Sequence, residues 1–438
     1  MRNHLAWLAE QLEQWLARGI ISTEQAARIR ALYPEPGRRA PWGAIVFSGI
    51  GAAVIGFGII LLFAYNWHAI PKAGKLGIVF GSLLAAHAAG VMLMRATDWR
   101  CQLGEAVSLL GTMLFGAGIW LVAQIYNIDE HYPTGFLIWG VGVLIMAWAL
   151  RSVVQGILAS AVLTVWLCCE AGSFERAVHW GPFLLIAGTG SLAWLIRSRV
   201  LLIGTLAGFV IGMVATTISL DGYLVLRTMT PIGVVLVCLG VVAGRQTRFT
   251  AGGHVLAFFG WLAFCICLYV LTFKDATHPS WYMHEVAGLS VSMYRWVSFA
   301  AALAACAAAV VPLLAAMSVQ SEAWPIENWI LPIAVIYLQI VASISVELVR
   351  ETAFWPFNLL FLTLALAWMV RGCQRGMLVP TTLGSLMFAA LALARYFDLF
   401  ESLLTRGIVF VLVGALIFTE GLLYMRARRT RQHEEVVS

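Results

Sequence analysis

Residues 133–169 read PTGFLIWGVGVLIMAWALRSVVQGILASAVLTVWLCC, two apolar runs with one charged residue, Arg151, between them. A helix that crosses a bilayer needs about 20 mostly apolar residues. Each run is close to that length, and Arg151-Ser152 leaves no room for more than a tight turn. The stretch therefore predicts a helical hairpin immersed in hydrocarbon. Working outward in both directions, the same alternation recurs, giving candidate spans at 42–65, 73–94, 103–125, 133–150, 152–169, 180–196, 200–219, 228–244, 252–273, 296–316, 327–347, 354–370, 377–397 and 406–425. The expected fold is all-α: a polytopic transmembrane helical bundle of about 14 spans. The span at 228–244 is the shortest and starts next to Arg227.

Composition agrees. Of the 438 residues, 61% are hydrophobic and 11% charged, against about 25% charged in globular chains. One water-soluble core could not hide so much apolar surface. The eight cysteines are scattered in or beside apolar runs and read as small hydrophobes, with no disulfide framework. The net charge of +6 is spread one or two residues at a time between spans, which excludes a nucleic-acid stripe and points to membrane topology. With the N-terminus placed inside, 19 of the 28 Lys and Arg fall in inner segments and 9 in outer ones. Cytoplasmic loops collect basic residues, so an N-in/C-in orientation is expected.

Three regions follow: residues 1–40, a cytoplasmic amphipathic helical hairpin; 41–426, the transmembrane bundle; and 427–438, a cytoplasmic tail. In the hairpin, Leu5, Leu8, Leu12 and Leu16 recur at helical spacing and Gly19 stands at a C-cap position. Ser22 and Gln25 form a capping-box pair that restarts a helix through Leu32. This hairpin either caps the bundle or serves as a docking surface for a second copy or a protein partner. Met1 to Arg39 is too polar for a cleavable signal peptide, so the first span is expected to direct insertion.

Three stretches carry a resemblance: Leu-Glu-Gln-Trp-Leu-Ala-Arg-Gly-Ile-Ile-Ser at 12–22, Ala-Gln-Ile-Tyr-Asn-Ile at 123–128, and Arg-Tyr-Phe-Asp-Leu-Phe at 395–400 followed by Arg406-Gly407. Together they resemble the bacterial predicted membrane proteins of domain of unknown function 2157. The resemblance implies a multi-pass protein of the bacterial inner membrane. It brings no activity, ligand or catalytic residue with it.

Ionisable groups inside a bilayer are functional suspects because they cost a few kcal/mol each to insert. Arg395 and Asp398 lie three apart on one helix face near the outer surface, at the predicted level of Glu347, Arg350, Glu351, Glu401 and Arg406. They form either a charged vestibule or an ion-pair latch. His87 and Glu105 lie in adjacent antiparallel spans at different depths, and Glu420 is a lone carboxylate two turns into the last span. Gln124 and Asn127 present two amides at the outer end of span three, for a ligand or for another helix. Small residues at Gly104, Ser108, Thr112 and Gly116, at Gly77, Gly81, Ala85 and Ala89, and at Gly407, Gly414 and Gly421 predict close-approach faces.

Enzyme signals are poor. His284-Glu285 lacks the second histidine of a zinc-protease motif, and Asp275 and His278 add only a weak ligand set. Gly49-Ile50-Gly51 lacks the third glycine and the strand of a dinucleotide loop. No cofactor or metal is expected; the one certain partner is the lipid bilayer. The leading reading is a secondary transporter or flippase-like carrier of a polar or lipid-linked solute. A membrane scaffold or sensor is the alternative, then an enzyme acting on lipid-linked substrates.

Overall fold

A computed structural model describes residues 11–12, 14–32, 71–95, 99–127, 131–174, 176, 178–218, 222–274, 276, 291–319, 325–343 and 352–399, with residues 411, 414–415, 418–419 and 421 beyond them. Every regular element among them is helical: α1 Thr23–Leu32, α2 Lys72–Met94, α3 Trp99–Tyr126, α4 Pro133–Leu150, α5 Val153–Ser173, α6 Gly181–Leu195, α7 Arg199–Ile218, α8 Gly222–Gln246, α9 Thr250–Val270, α10 Val291–Val319, α11 Ile326–Ser343, α12 Phe354–Arg375 and α13 Leu378–Leu399. Among the described residues nine helices are long and apolar enough to cross a membrane, and α6, α10 and α11 hold shorter apolar stretches. The protein is a multi-pass membrane protein. All twelve coincide with candidate spans; the first and last candidates, 42–65 and 406–425, lie outside the described residues save for isolated helical positions from 411 to 421. The span expected at 228–244 starts earlier, because α8 carries Arg227 inside its helix with Nε donating to Gln339 Oε1 of α11 at 2.8 Å.

The chain packs as two units, Met1–Gly77 and Ile78–Ser438. In the first, Gly19 adopts φ +67°, the N–H of Ile20 bonds the carbonyl of Trp15 at 2.9 Å and that of Gly19 bonds Leu16 at 3.1 Å. This is a Schellman stop, which glycine makes without a Cβ penalty. Ser22 and Gln25 then exchange bonds of 2.9 and 3.2 Å, the capping box that starts α1.

The second unit uses one turn twice. Arg151 sits at φ 48° while Ser152 N–H bonds Ala147 O at 3.2 Å and Ser152 Oγ accepts from Gln155 N at 3.3 Å. Arg197 sits at φ 54° while Ser198 N–H bonds Ala193 O at 3.0 Å and Ser198 Oγ accepts from Leu201 N at 3.3 Å. Each Arg-Ser pair closes one helix and caps the next. A left-handed non-glycine residue costs about 1–2 kcal/mol, which the two satisfied helix ends offset.

The core lies among α8 to α12, where Phe264, Leu268, Leu331, Leu338, Phe357 and Leu364 are fully buried. Glycines set the closest contact. A Cβ at Gly253 would come within 2.4 Å of Gly244 N, one at Gly240 within 2.6 Å of Ala257 N, and one at Gly260 within 2.6 Å of Val237 N, so α8 and α9 touch backbone to backbone. On α3 the Gly104 and Ser108 face meets Gly90, and Gly116 receives the ring of Trp139, whose indole N–H donates to Thr112 O at 3.0 Å. On α2 the contact is thus Gly90, since Gly77 and Gly81 meet no described neighbour.

Within α6, residues Ile186–Gly190 form a π turn. Trp148 of α4 donates to Gly188 O at 3.0 Å, and Ser160 and Thr205 both donate to Thr189 Oγ1, at 3.0 and 2.9 Å. Three helices are pinned to this irregular turn, α5 and α7 through buried hydroxyls and α4 through an indole N–H. Forcing a side chain into the α8–α9 seam should cost about 1–3 kcal/mol or more by overpacking. Gly253→Leu is expected to lower the melting temperature in detergent by several degrees, and Gly204→Ala, at a position where a Cβ meets nothing, to leave it unchanged. Equal melting temperatures for Gly253→Leu and the parent would refute the seam.

Candidate functional site

The turn between α3 and α4 builds the site. Asn127 ends α3 at φ 52°, a left-handed conformation asparagine tolerates better than most residues. Pro133 opens α4 at its first position, where its missing N–H costs nothing. The turn sets Gln124, Asn127, His131, Tyr132 and Thr134 around the mouth of a cavity of about 900 Å³. Below it the walls are apolar: Val79, Phe80 and Leu83 from α2, Phe115, Ile119 and Val122 from α3, and Ile138 from α4. Small residues make the room: Gly118 faces Val79, and Gly142 of α4 accommodates Phe115. Trp120 and Phe136 meet edge to face at 5.0 Å, stiffening the wall between α3 and α4.

One rim residue is anchored from behind. His131 Nε2 lies 2.8 Å from both Oε1 and Oε2 of Glu170, 39 positions away at the end of α5. Trp166, one turn earlier on α5, donates its indole N–H to Glu170 Oε1 at 3.0 Å. Nε2 is thus the ring nitrogen that Glu170 engages, and it is the donor wherever the carboxylate is ionised, because an ionised carboxylate only accepts. Glu170 is 5% exposed and has no solvent to rely on. These bonds offset the cost of burying it. Next to the pair, Tyr132 donates to Ser173 Oγ at 2.7 Å, and Phe174 packs edge-on to His131 at 4.2 Å. The mouth of the cavity is thus rigidly held by the α5 end. Neither His131 nor Glu170 stands out in the sequence. His131 is in a loop and Glu170 one position past a span boundary, and only the antiparallel return of α4 and α5 joins them. The available signal was Trp166 and Glu170 at i, i+4.

The other expected residues are distributed elsewhere. Gln124 and Asn127 are both exposed at the cavity rim. His87 and Glu105 do not meet: the His87 ring packs on Gly111, where a Cβ would come within 3.0 Å of it. Glu105 accepts a short hydrogen bond from Ser152 Oγ, the cap of α5. Gln155, fully buried on the same helix, donates to Thr112 Oγ1 at 3.0 Å, so Glu105, Ser152, Gln155 and Thr112 form one polar seam between α3 and α5. Arg395 of α13 stacks its guanidinium over Phe273 at 5.2 Å and Phe354 at 6.0 Å. Asp398 follows on the same helix with its side chain outside the described residues, as are Glu347, Arg350, Glu351, Glu401, Arg406 and Glu420. His278 and His284-Glu285 also lie outside them. Among the described residues no group of three His, Cys, Asp or Glu could hold a metal ion.

The cavity lies wholly within residues 79–138. Residues 13–156 match the family of the Predicted membrane protein (DUF2157). The match takes in the capped N-terminal segment, α2 to α4 and the start of α5, and it stops before Glu170. None of the curated proteins and none of the solved structures compared with the chain matches it.

Removing the carboxylate would leave His131 Nε2 and Trp166 Nε1 without their acceptor. Glu170→Ala should therefore destabilise the α4–α5 hairpin by about 1–3 kcal/mol, read as a lower melting temperature in detergent and faster amide exchange near Trp166. A variant as stable as the parent would show that the couple does not hold the mouth.

Proposed function

We propose that the cavity between α2, α3 and α4 binds an amphipathic solute, a lipid or lipid-linked molecule, and that the protein carries the polar part of that solute between leaflets. The observation that supports this is the lining. An apolar chamber of about 900 Å³ is ringed at one end only by amides, a phenol and a carboxylate-backed imidazole. Small-molecule sites fall at about 300–1,000 Å³ and combine apolar walls with a few placed polar groups. An acyl or isoprenoid chain suits the Val79, Leu83, Phe115 and Ile138 walls; a hydroxylated or phosphorylated head suits Gln124, Asn127 and His131.

On the N-in orientation favoured by the arginine distribution, the polar rim opens at the outer face of a bacterial inner membrane, within a bundle of about 14 spans. The solute then meets the protein from the outer leaflet. The hairpin of residues 1–40 is read as a docking surface for a second copy or a protein partner. A carrier of this kind requires no nucleotide site, since an ion gradient can drive it.

The test uses the purified full chain in liposomes with a phospholipid carrying a tail diazirine. Photolysis should label residues of α2 and α3 around Leu83 and Ile119, and Ala123→Trp, which fills the chamber, should reduce that labelling about tenfold, a loss of about 1.4 kcal/mol in binding. A fluorescent headgroup-labelled lipid should also cross the bilayer faster with the parent chain than with Ala123→Trp. Labelling spread evenly over the lipid-facing surface and untouched by Ala123→Trp would sink the reading.

A further inference from the structure

Glu105, Ser108 and Thr112 stand at i, i+3 and i+7 on α3, one stripe of that helix. The stripe is tied to the start of α5 at both ends: Ser152 Oγ donates to Glu105 Oε1, and Gln155 Nε2 donates to Thr112 Oγ1 at 3.0 Å. Ser108 lies on the stripe between these two contacts. We propose that this seam of oxygens binds one sodium ion, at a site that stands whether or not the chamber carries a solute.

The state of the oxygens carries the assignment. Gln155 Oε1 and Ser108 Oγ are buried and have no hydrogen-bond partner among the described residues; the two residues are 0% and 1% exposed. The direction of the Gln155 amide is fixed by its neighbour. The Thr112 hydroxyl gives its proton to Ser108 O at 3.0 Å, so it can only accept from Gln155. The amide nitrogen therefore faces Thr112, and Oε1 is left for another ligand. The Ser152 proton is committed to Glu105, and the backbone N–H of Gln155 to Ser152 Oγ at 3.3 Å. What Thr112, Ser152 and Gln155 Oε1 still offer is lone pairs, which are costly to leave unmet where water is scarce.

Size and chemistry choose the guest. The helices leave room only for something of atomic size: a Cβ at Gly90 of α2 would come within 3.0 Å of Ser108 N and 3.1 Å of Ser108 Cβ. A proton does not answer, because amide and hydroxyl oxygens do not take one near neutral pH. Hard cations do take oxygen ligands. Calcium needs about six to eight of them and magnesium keeps several of its waters, more than a seam this tight holds. One carboxylate, Glu105, beside neutral hydroxyl and amide oxygens suits an ion of single charge, and the close approach of the helices suits a small one.

The experiment uses the purified full chain in detergent. It measures retention of radiolabelled sodium, and thermal melting in sodium, potassium or N-methylglucamine chloride at equal ionic strength. The parent chain should retain sodium saturably and melt several degrees higher in sodium than in either other salt. Ser108→Ala removes an oxygen that holds no hydrogen bond among the described residues. In N-methylglucamine it should therefore melt no lower than the parent, yet lose about tenfold in sodium affinity and most of the sodium-dependent rise. Glu105→Gln, which keeps the shape of the side chain, should weaken sodium by at least the same factor. No saturable retention, equal melting in the three salts, or a full sodium response in Ser108→Ala would each overturn the assignment; these are the results a bridging water gives. Ala123→Trp should leave sodium binding unchanged, so failure of the solute chamber and failure of this site are told apart.

Discussion

A helix already surrounded by hydrocarbon gains no hydrophobic energy by touching another helix. What remains is van der Waals contact and the need to satisfy polar groups where water is absent. Both are visible in this protein. The α8–α9 pair has removed side chains at Gly240, Gly244, Gly253 and Gly260, so that two backbones meet. Elsewhere the contacts are hydrogen bonds across helices, such as Trp139 to Thr112, Trp148 to Gly188, and Thr205 to Thr189. The same scarcity of alternatives explains the buried Glu170. A carboxylate there persists only because an imidazole and an indole are brought to it, and meeting that need positions His131 beside the chamber.

The span pattern was legible because hydropathy and length are local properties. Twelve candidate spans correspond to helices, even where the ends moved. The span at 228–244 looked short only because Arg227 reads as a boundary, whereas within α8 its guanidinium donates a hydrogen bond to Gln339 of α11. The capping box at Ser22 and the glycine stop at Gly19 were equally legible, since both depend on residues three or four apart. The Arg-Ser turns were not, because no propensity scale places arginine in a left-handed conformation.

Contacts between helices were less accessible. Gly104 and Ser108 were recognised as a packing face, but their partner is Gly90, outside the four-residue repeat of Gly77 and Gly81. Spacing on one helix says that a face is smooth; it says nothing of which neighbour uses it. The glycines of α8 and α9 went unremarked although Gly233 and Gly240, and Gly253 and Gly260, stand seven apart; only the antiparallel alignment of the two helices makes them a seam. At the site, Gln124 and Asn127 were found through their i, i+3 spacing. His131 needed knowledge of where a loop returns. Glu105 and His87 lie on helices adjacent in the topology and still meet different neighbours, Ser152 and Gly111, because they stand at different depths along those helices.

The π turn in α6 has a consequence of its own. An ordinary helix advances about 100° per residue, so one surplus residue in a wide turn shifts everything beyond it by that angle. A regular helix would put Leu185 and Leu192, seven residues apart, on one face; the wide turn between them rotates the second away from the first by about 100°, yet Leu185, Leu192 and Ala193 are all fully buried. The wide turn therefore acts as a phase shifter, letting one short span serve two differently oriented packing surfaces on a single axis.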